Sequence, residues 1–332
     1  MARMPNQKLK LMYLALILRE RTDERHGLTL SDISSALHEY DVSAERKSLY
    51  DDIEALRLFG MDIRTIRDTH VRYYLASHDF ELAELRILVD AVQSAKFLTP
   101  KKSRELTKKL EGMGSRHEAS ALHRQVYDTN RLKTENEEIF GNIAVLHRAI
   151  SENRRIACRY FEWNSYKQRI LRRNGDEYVI SPWALSWDDE YYYLVAFDSD
   201  AQSIKHFRVD KMLKIRMLEE KRDGEKAFAD FDMAIYSRRT FGMYGGEAVN
   251  VQIRVDASLA GVVIDRFGTD VTILNHGDTF DLCTKVTVSP TFYSWVLGFG
   301  GKMKILSPAW VADEALKIAK EIVSLYETDP LK

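Results

Sequence analysis

Cysteine is almost absent: Cys158 and Cys283 are the only two, they stand far apart, and neither has His or Cys neighbours at ligand spacing. That argues against a disulfide framework and a zinc site and suits a reducing compartment. The apolar stretch Leu11 to Leu18 is far shorter than the roughly 20 residues of a membrane span. Arg3, Lys8 and Lys10 precede it, but Arg19-Glu20-Arg21 follows at once, where a secretory cleavage site would need small residues. A cytoplasmic protein with no membrane partner is expected. Catalytic motifs are missing as well: there is no His-Glu-x-x-His and no Gly-x-Ser-x-Gly. Gly298-Phe299-Gly300-Gly301 lacks the strand, lysine and spacing of a phosphate loop, and the nine histidines are scattered. No enzyme activity, cofactor or metal is expected.

An excess of charge is also lacking, since the formal net charge is −1. Its distribution is uneven. Residues 1–77 carry 12 basic and 12 acidic side chains, residues 95–135 carry 10 and 5, and residues 223–332 carry 11 and 15. What is present is apolar bulk: 45% hydrophobic residues, with 14 Phe, 16 Tyr and 5 Trp. A chain of 332 residues with that content folds into two to four domains with real cores.

Residues 1–77 divide into three helices and a hairpin. Leu11, Leu14, Ala15 and Leu18 recur at helical spacing over about Asn6 to Thr22. Thr29 and Asp32 form a capping box, with Leu28 and Ile33 placed as a hydrophobic staple, for a second helix ending near Tyr40. Ser43 can cap a third helix whose inward stripe is Leu49, Ile53 and Leu56, stopped by Gly60. Two β-rich runs, Met61 to Ile66 and Val71 to Leu75, flank a polar tip containing Arg67 and His70. That is the order of a winged helix-turn-helix, in which the third helix enters the major groove and the hairpin lies on the backbone. Candidate DNA contacts are Ser43, Arg46, Lys47, Ser48 and Tyr50 around the third helix's amino end, with Arg67, His70 and Arg72 on the wing. A three-helix bundle with a solvated polar face remains the alternative.

Helical spacing continues from Phe80 to about Gly112, interrupted at Pro100, and the polar stretch Gly114 to Asn130 is the expected interdomain linker. A further helix runs from about Glu135 to Asn153. Five short β runs follow: Arg155 to Phe161, Tyr178 to Ser181, Tyr191 to Phe197, Ile204 to Val209 and Leu213 to Leu218. They predict a small barrel. The last third mixes strands (249–255, 271–274, 279–288, 303–306) with helices (258–267, 291–299 and from Pro308), the pattern of an open α/β sandwich.

The barrel segment pairs aromatics with cations. Tyr192 and Tyr193 alternate on one strand; His206, Arg208 and Asp210 share one face of the next, opposite Phe207 and Val209. Lys205 falls on the Phe207 face, so Lys205, Arg208 and Lys211 converge only if the strand end turns. An aromatic platform beside cations suits stacked bases and phosphates. Ordinary core packing of Tyr193 and Phe207, and a structural pair between Arg208 and Asp210, are the alternatives.

Ser181-Pro182-Trp183-Ala184-Leu185, Tyr192-Tyr193-Leu194 and Lys205-His206-Phe207-Arg208-Val209-Asp210-Lys211 resemble the WYL-domain transcription factors. Those are named for a Trp-Tyr-Leu triplet, preceded by Pro-x-x-Leu and followed by Arg-x-Phe-Arg-x-Asp-Arg. Tyr192 replaces the Trp, and lysines 205 and 211 replace two arginines. Trp295, Phe299-Gly300 and Ile305-Leu306-Ser307-Pro308 resemble the extension that follows such domains, and Arg46 to Ile53 resembles their reading helix, with Asp51 where many have a basic residue. The resemblance implies an α+β multidomain chain. Its parts are a winged helix-turn-helix (1–77), a helical linker (78–134), an Sm/SH3-like WYL barrel with a leading helix (135–222) and the C-terminal α/β extension (223–332). It further implies a homodimeric regulator that binds operator duplex DNA. Tyr192, Tyr193, Lys205, His206, Arg208 and Lys211 would hold a nucleotide or single-stranded nucleic acid effector.

Overall fold

The computed structural model describes residues 6–125, 133–188, 190–229 and 232–328 and divides into two compact units, residues 1–135 and 136–332. In the first unit, a single 3-10 turn leads into α1 (Lys10–Arg21), followed by α2 (Leu30–His38), α3 (Arg46–Leu58), β1 (Ile63–Arg67) and β2 (Val71–Leu75). The Thr29–Asp32 capping box forms, each side chain taking the other's backbone N–H at 3.2 and 2.9 Å. Leu28 exchanges two backbone hydrogen bonds with Tyr73, which adds a third rung to the hairpin and ties it to the start of α2. Leu14 and Leu18 of the expected first-helix stripe, with Ile17, join Ile33, Leu37, Leu49 and Ile53 in the sealed core beneath, whereas Leu11 of that stripe is 40% exposed and Ala15 only partly buried. Each of the sealed residues would cost about 2–5 kcal/mol to cut to alanine.

Three more helices complete this unit: α4 (Leu82–Ser94), α5 (Pro100–Glu111) and α6 (Arg116–Gln125). The last corrects the expected linker. Ser115 and Glu118 form a capping box of their own, Glu118 N donating to Ser115 Oγ at 3.1 Å and Ser115 N to Glu118 Oε2 at 2.8 Å, so 116–125 is helical rather than a loop. Residues 126–130 of that stretch lie outside the described residues.

The second unit opens with α7 (Ile139–Ser151) and a run of antiparallel strands: β3 (Arg154–Trp163), β4 (Arg169–Leu171), β5 (Tyr178–Asp188), β6 (Tyr191–Asp198), β7 (Ser203–Arg208) and β8 (Met212–Lys221). They pair in the order β4-β3-β5-β6-β7, and β8 returns to β3, curling the sheet on itself. β4 and the length of β5 were not expected, and the strand expected to reach Val209 stops at Arg208. A 3-10 turn over Val209–Lys211 follows, so the chain does turn after Arg208.

Beyond β8, Phe228 stacks on Trp183 of β5 at 4.6 Å and packs with Val195 and Phe197 of β6, and a short helix α8 (Met233–Arg239) follows. The remainder is β9 (Glu247–Asp256), α9 (Ala260–Phe267), β10 (Thr272–Asn275), β11 (Thr279–Val288), α10 (Pro290–Leu297), β12 (Met303–Ser307) and α11 (Ala309–Thr328). The four strands pair as β10-β11-β9-β12, and their alternate residues Val251, Ile253, Val255, Leu282 and Val286 bury against Val263, Phe292 and Val311 of the helices. Among the described residues, no helix is long and apolar enough to cross a membrane.

Candidate functional site

A cleft of about 860 Å³ opens beside β7. This strand is a sheet edge, paired to β6 alone, and the cleft wraps it. Ile204, His206 and Arg208 line the cleft from one face of β7, and Lys205 and Phe207 from the other. Deep to the edge lie Tyr160 of β3 and Tyr178 of β5, edge-to-face with Phe207 at 5.5 and 5.4 Å. Burial pushes the Tyr160 phenol up to about 12, and its hydroxyl accepts the Arg208 amide at 3.2 Å.

Five cations ring this aromatic wall: Arg172, Arg173, Lys205, Arg208 and Lys211; Glu162 is the lining's one carboxylate. Arg172 pairs with that Glu162 at 3.0 Å. Arg208 forks onto Asp210 (3.1 and 2.8 Å) and lies 3.4 Å from the centroid of the Tyr191 ring, so the pair with Asp210 offered as the structural alternative does form. Lys205 donates to Asp198 at 2.7 Å, and Arg173 approaches the same buried carboxylate at 3.4 Å while covering the Tyr178 ring. Two cations thus share one anion. Lys211 forms no ion pair among the described residues; burial, then the neighbouring Arg208, holds its ammonium below the usual lysine value. His206 takes part in a hydrogen bond with Tyr236 of α8 (Nε2 to Oη, 3.0 Å), and burial lowers its pKa to about 4, so the imidazole is neutral near pH 7.

Of the six residues named from sequence for this site, Tyr193, Lys205, His206, Arg208 and Lys211 line the cleft; Tyr192 does not, because it sits one step along β6 from Tyr193 and faces the other way. The sequence reading missed Tyr160, Tyr178, Arg172, Arg173 and the segment Gly242-Met243-Tyr244-Gly245, which closes one side of the cleft from beyond α8. Arg173, Asn174 and Gly175 all have left-handed backbone (φ +50°, +55° and +94°). The Asn-Gly pair was the available turn signal, and the turn aims Arg173 at Asp198.

In the first unit, Arg46, Lys47 and Tyr50 are exposed on the first turns of α3. Ser43 is exposed but does not cap the helix: the N-cap is Glu45, and the Ser43 carbonyl instead accepts Gln7 Nε2 at 3.1 Å. Ser48 is half-buried and bonded to Lys10, whose ammonium also pairs with Asp52, so it is committed to holding α1 against α3. On the hairpin, Arg67 and His70 are exposed at the tip, and Arg72 pairs with Asp68. Burial and then Tyr50 push the Tyr73 phenol up, while Arg57, Arg46 and Arg67 oppose them.

Residues 141–217 match the family described as WYL domain, and residues 247–323 the family described as WCX domain. No curated protein matches the chain. Among solved structures, the proteasome accessory factor B/C (PafBC) of Arthrobacter aurescens is similar at 19% identity and a TM-score of 0.30, over 93% of this chain and 47% of that one. The chain thus spans about half the length of that structure. A second, titled "Crystal structure of a CRISPR Cas-related protein", is similar at 15% identity and a TM-score of 0.36, over 89% and 77% of the two chains. The chain thus carries a WYL domain at residues 141–217, followed by a WCX domain at residues 247–323.

Proposed function

We propose that this protein is a homodimeric transcriptional regulator. Its amino-terminal helices and hairpin act as a winged helix-turn-helix on duplex operator DNA, and its WYL domain binds a nucleotide or a single-stranded nucleic acid as effector, without catalysis. The observation that carries the reading is the cleft. Half-buried Tyr193 and exposed Tyr244 line it beside five cations around one strand edge, over the buried rings of Tyr160, Tyr178 and Phe207. That is the chemistry of base stacking, worth about 1–3 kcal/mol per base, combined with phosphate binding. Neutral His206 adds a hydrogen-bonding group without adding charge. On the duplex side, Arg46, Lys47 and Tyr50 are exposed at the amino end of α3, where a reading helix meets base edges and phosphates.

The test is a DNA shift assay on duplex from the region upstream of the gene, with and without short single-stranded DNA and nucleotides. The wild-type protein shifts the duplex and the effector changes the shift; Arg46→Ala with Lys47→Ala abolishes it. A double variant that binds like wild type would overturn the reading. It would favour a scaffold whose principal nucleic-acid site is the WYL cleft.

A further inference from the structure

We infer that α5 is a second nucleic-acid-contacting surface, one that grips the phosphate backbone of duplex DNA and adds to the affinity of the reading helix. The inference rests on the proposed regulator function. The reading helix α3 carries Arg46, Lys47 and Arg57 against Asp51, Asp52 and Glu54, and so contributes no net charge. Asp52 pairs with Lys10 and Glu54 with Arg57, which leaves Arg46 and Lys47 against Asp51 on the outward face, a small positive balance where phosphate neutralisation dominates duplex affinity.

α5 carries a larger excess: Lys101, Lys102, Arg104, Lys108 and Lys109 against Glu105 and Glu111. The placement of these cations matters more than their number. Lys101, Arg104, Lys108 and Glu105 stand three, four and seven positions apart, so they share one outward face, with Lys109 alongside; Ser103, on the opposite side, is buried. Glu105 is the one acid within that face, and it is already spent on Lys102 at 2.8 Å. Its carboxyl is held below the usual range by that bond first and by the fields of Lys101 and Lys109, which places both lysines beside it. Lys101, Arg104, Lys108 and Lys109 make no ion pair among the described residues.

Glu105, at four positions from both Lys101 and Lys109, offsets only part of this charge; the like pairs Lys101/Arg104 and Arg104/Lys108 each cost the helix about 0.2–0.5 kcal/mol, and the face stays net positive. Lys101 to Lys108 spans roughly 10 Å of helix, and duplex DNA presents one negative charge per about 1.7 Å of axis. The stripe and a phosphate ridge therefore match in sign and in scale. Its side chains are long and flexible, without the fixed bidentate geometry that selects bases, so the contact is independent of sequence.

The experiment is the full-length chain with Lys101, Arg104, Lys108 and Lys109 all replaced by Gln, titrated against a random-sequence duplex and against the upstream duplex over a range of salt concentrations. At about 0.9 per neutralised phosphate, the log–log salt slope should fall by roughly 3 to 4 for both duplexes. The ratio of the two affinities should stay as in wild type. The slope does not depend on the active fraction, so partial unfolding cannot imitate the effect. An unchanged slope, or a lost preference for the upstream duplex, would overturn the inference alone. Wild-type protein that binds neither duplex would overturn the regulator reading beneath it.

Discussion

Replacing Asp198 with Asn should weaken the fold and strengthen the cleft at the same time. The Asp198 side chain is 1% exposed. It accepts Lys205 Nζ at 2.7 Å and the amides of Asp200 and Ala201 at 3.0 and 3.2 Å, with Arg173 at 3.4 Å. Asn keeps one oxygen for the loop amides but turns an amide toward two cations. A hydrogen bond to a charged group is worth about 1.5–3 kcal/mol. Lys205 and Arg173 are each about a third exposed, so water recovers part of that, and a loss of about 1–2 kcal/mol follows. At about 2–4 °C per kcal/mol for a body of this size, the melting temperature should drop by about 2–8 °C. The sign with pH is fixed. Burial alone would raise the Asp198 carboxyl, but Lys205 and the loop amides outweigh it and hold the carboxyl below the ordinary aspartate value. The stability it contributes is complete above the unfolded-state pKa and is lost as pH falls through the lower folded value, so the gap between wild type and variant should close in acid. Lys205 and Arg173, freed, should bind a labelled single-stranded oligonucleotide more tightly, by about threefold if the gain is about 0.7 kcal/mol. Calorimetry and fluorescence anisotropy read the two arms. Equal melting temperatures at neutral pH, or weaker oligonucleotide binding, would refute the account of Asp198 as a shared brace.

Two further outcomes test the packing. Gly224 sits at φ +87°, and a Cβ there would run into the Phe197 ring and lie 2.7 Å from the Phe197 Cβ, so Gly224→Ala should cost about 1–3 kcal/mol. Urea denaturation followed by Trp fluorescence would show it, and a cost below half a unit of that scale would mean the segment over β6 is free to shift. Cys158 is fully buried and its thiol is pushed up to about 12 by burial, whereas Cys283 is only half-buried. Under native conditions a maleimide should therefore label Cys283 long before Cys158, and mass spectrometry reporting the reverse order would place Cys158 in an opening segment.

The first unit was the most legible part of the chain because its elements are local. Leu14, Ile33, Leu37, Leu49 and Ile53 repeat with the helical period, and Thr29 and Asp32 announce a helix start within four residues. The same kind of local signal stands at Ser115 and Glu118, yet the surrounding polar composition reads as a linker, and α6 was missed. Ser43 shows the converse. A good capping residue two positions early is outcompeted when its carbonyl has a tertiary partner in Gln7. In the second unit alternation marks most strands, but β4 is three residues long and follows a turn, too short for a period to show.

The cleft was legible only along β6 and β7, where side-chain alternation places Tyr193, His206 and Arg208 without knowledge of the fold. Its other walls come from residues whose sequence context says something else. Tyr160 and Tyr178 alternate as core residues and are in fact nearly sealed. They lie beneath buried Phe207 and form the floor of the site because β7 is a sheet edge beside the cleft. Arg172 and Arg173 look like a solvated charge pair until a left-handed turn carries Arg173 back to Asp198, some 25 positions away in sequence. Gly242 to Gly245 enter from beyond α8, the segment that also supplies Tyr236 to His206. These walls are joined by fold rather than by sequence, since Tyr236 and residues 242–245 reach the cleft from the segment between β8 and β9.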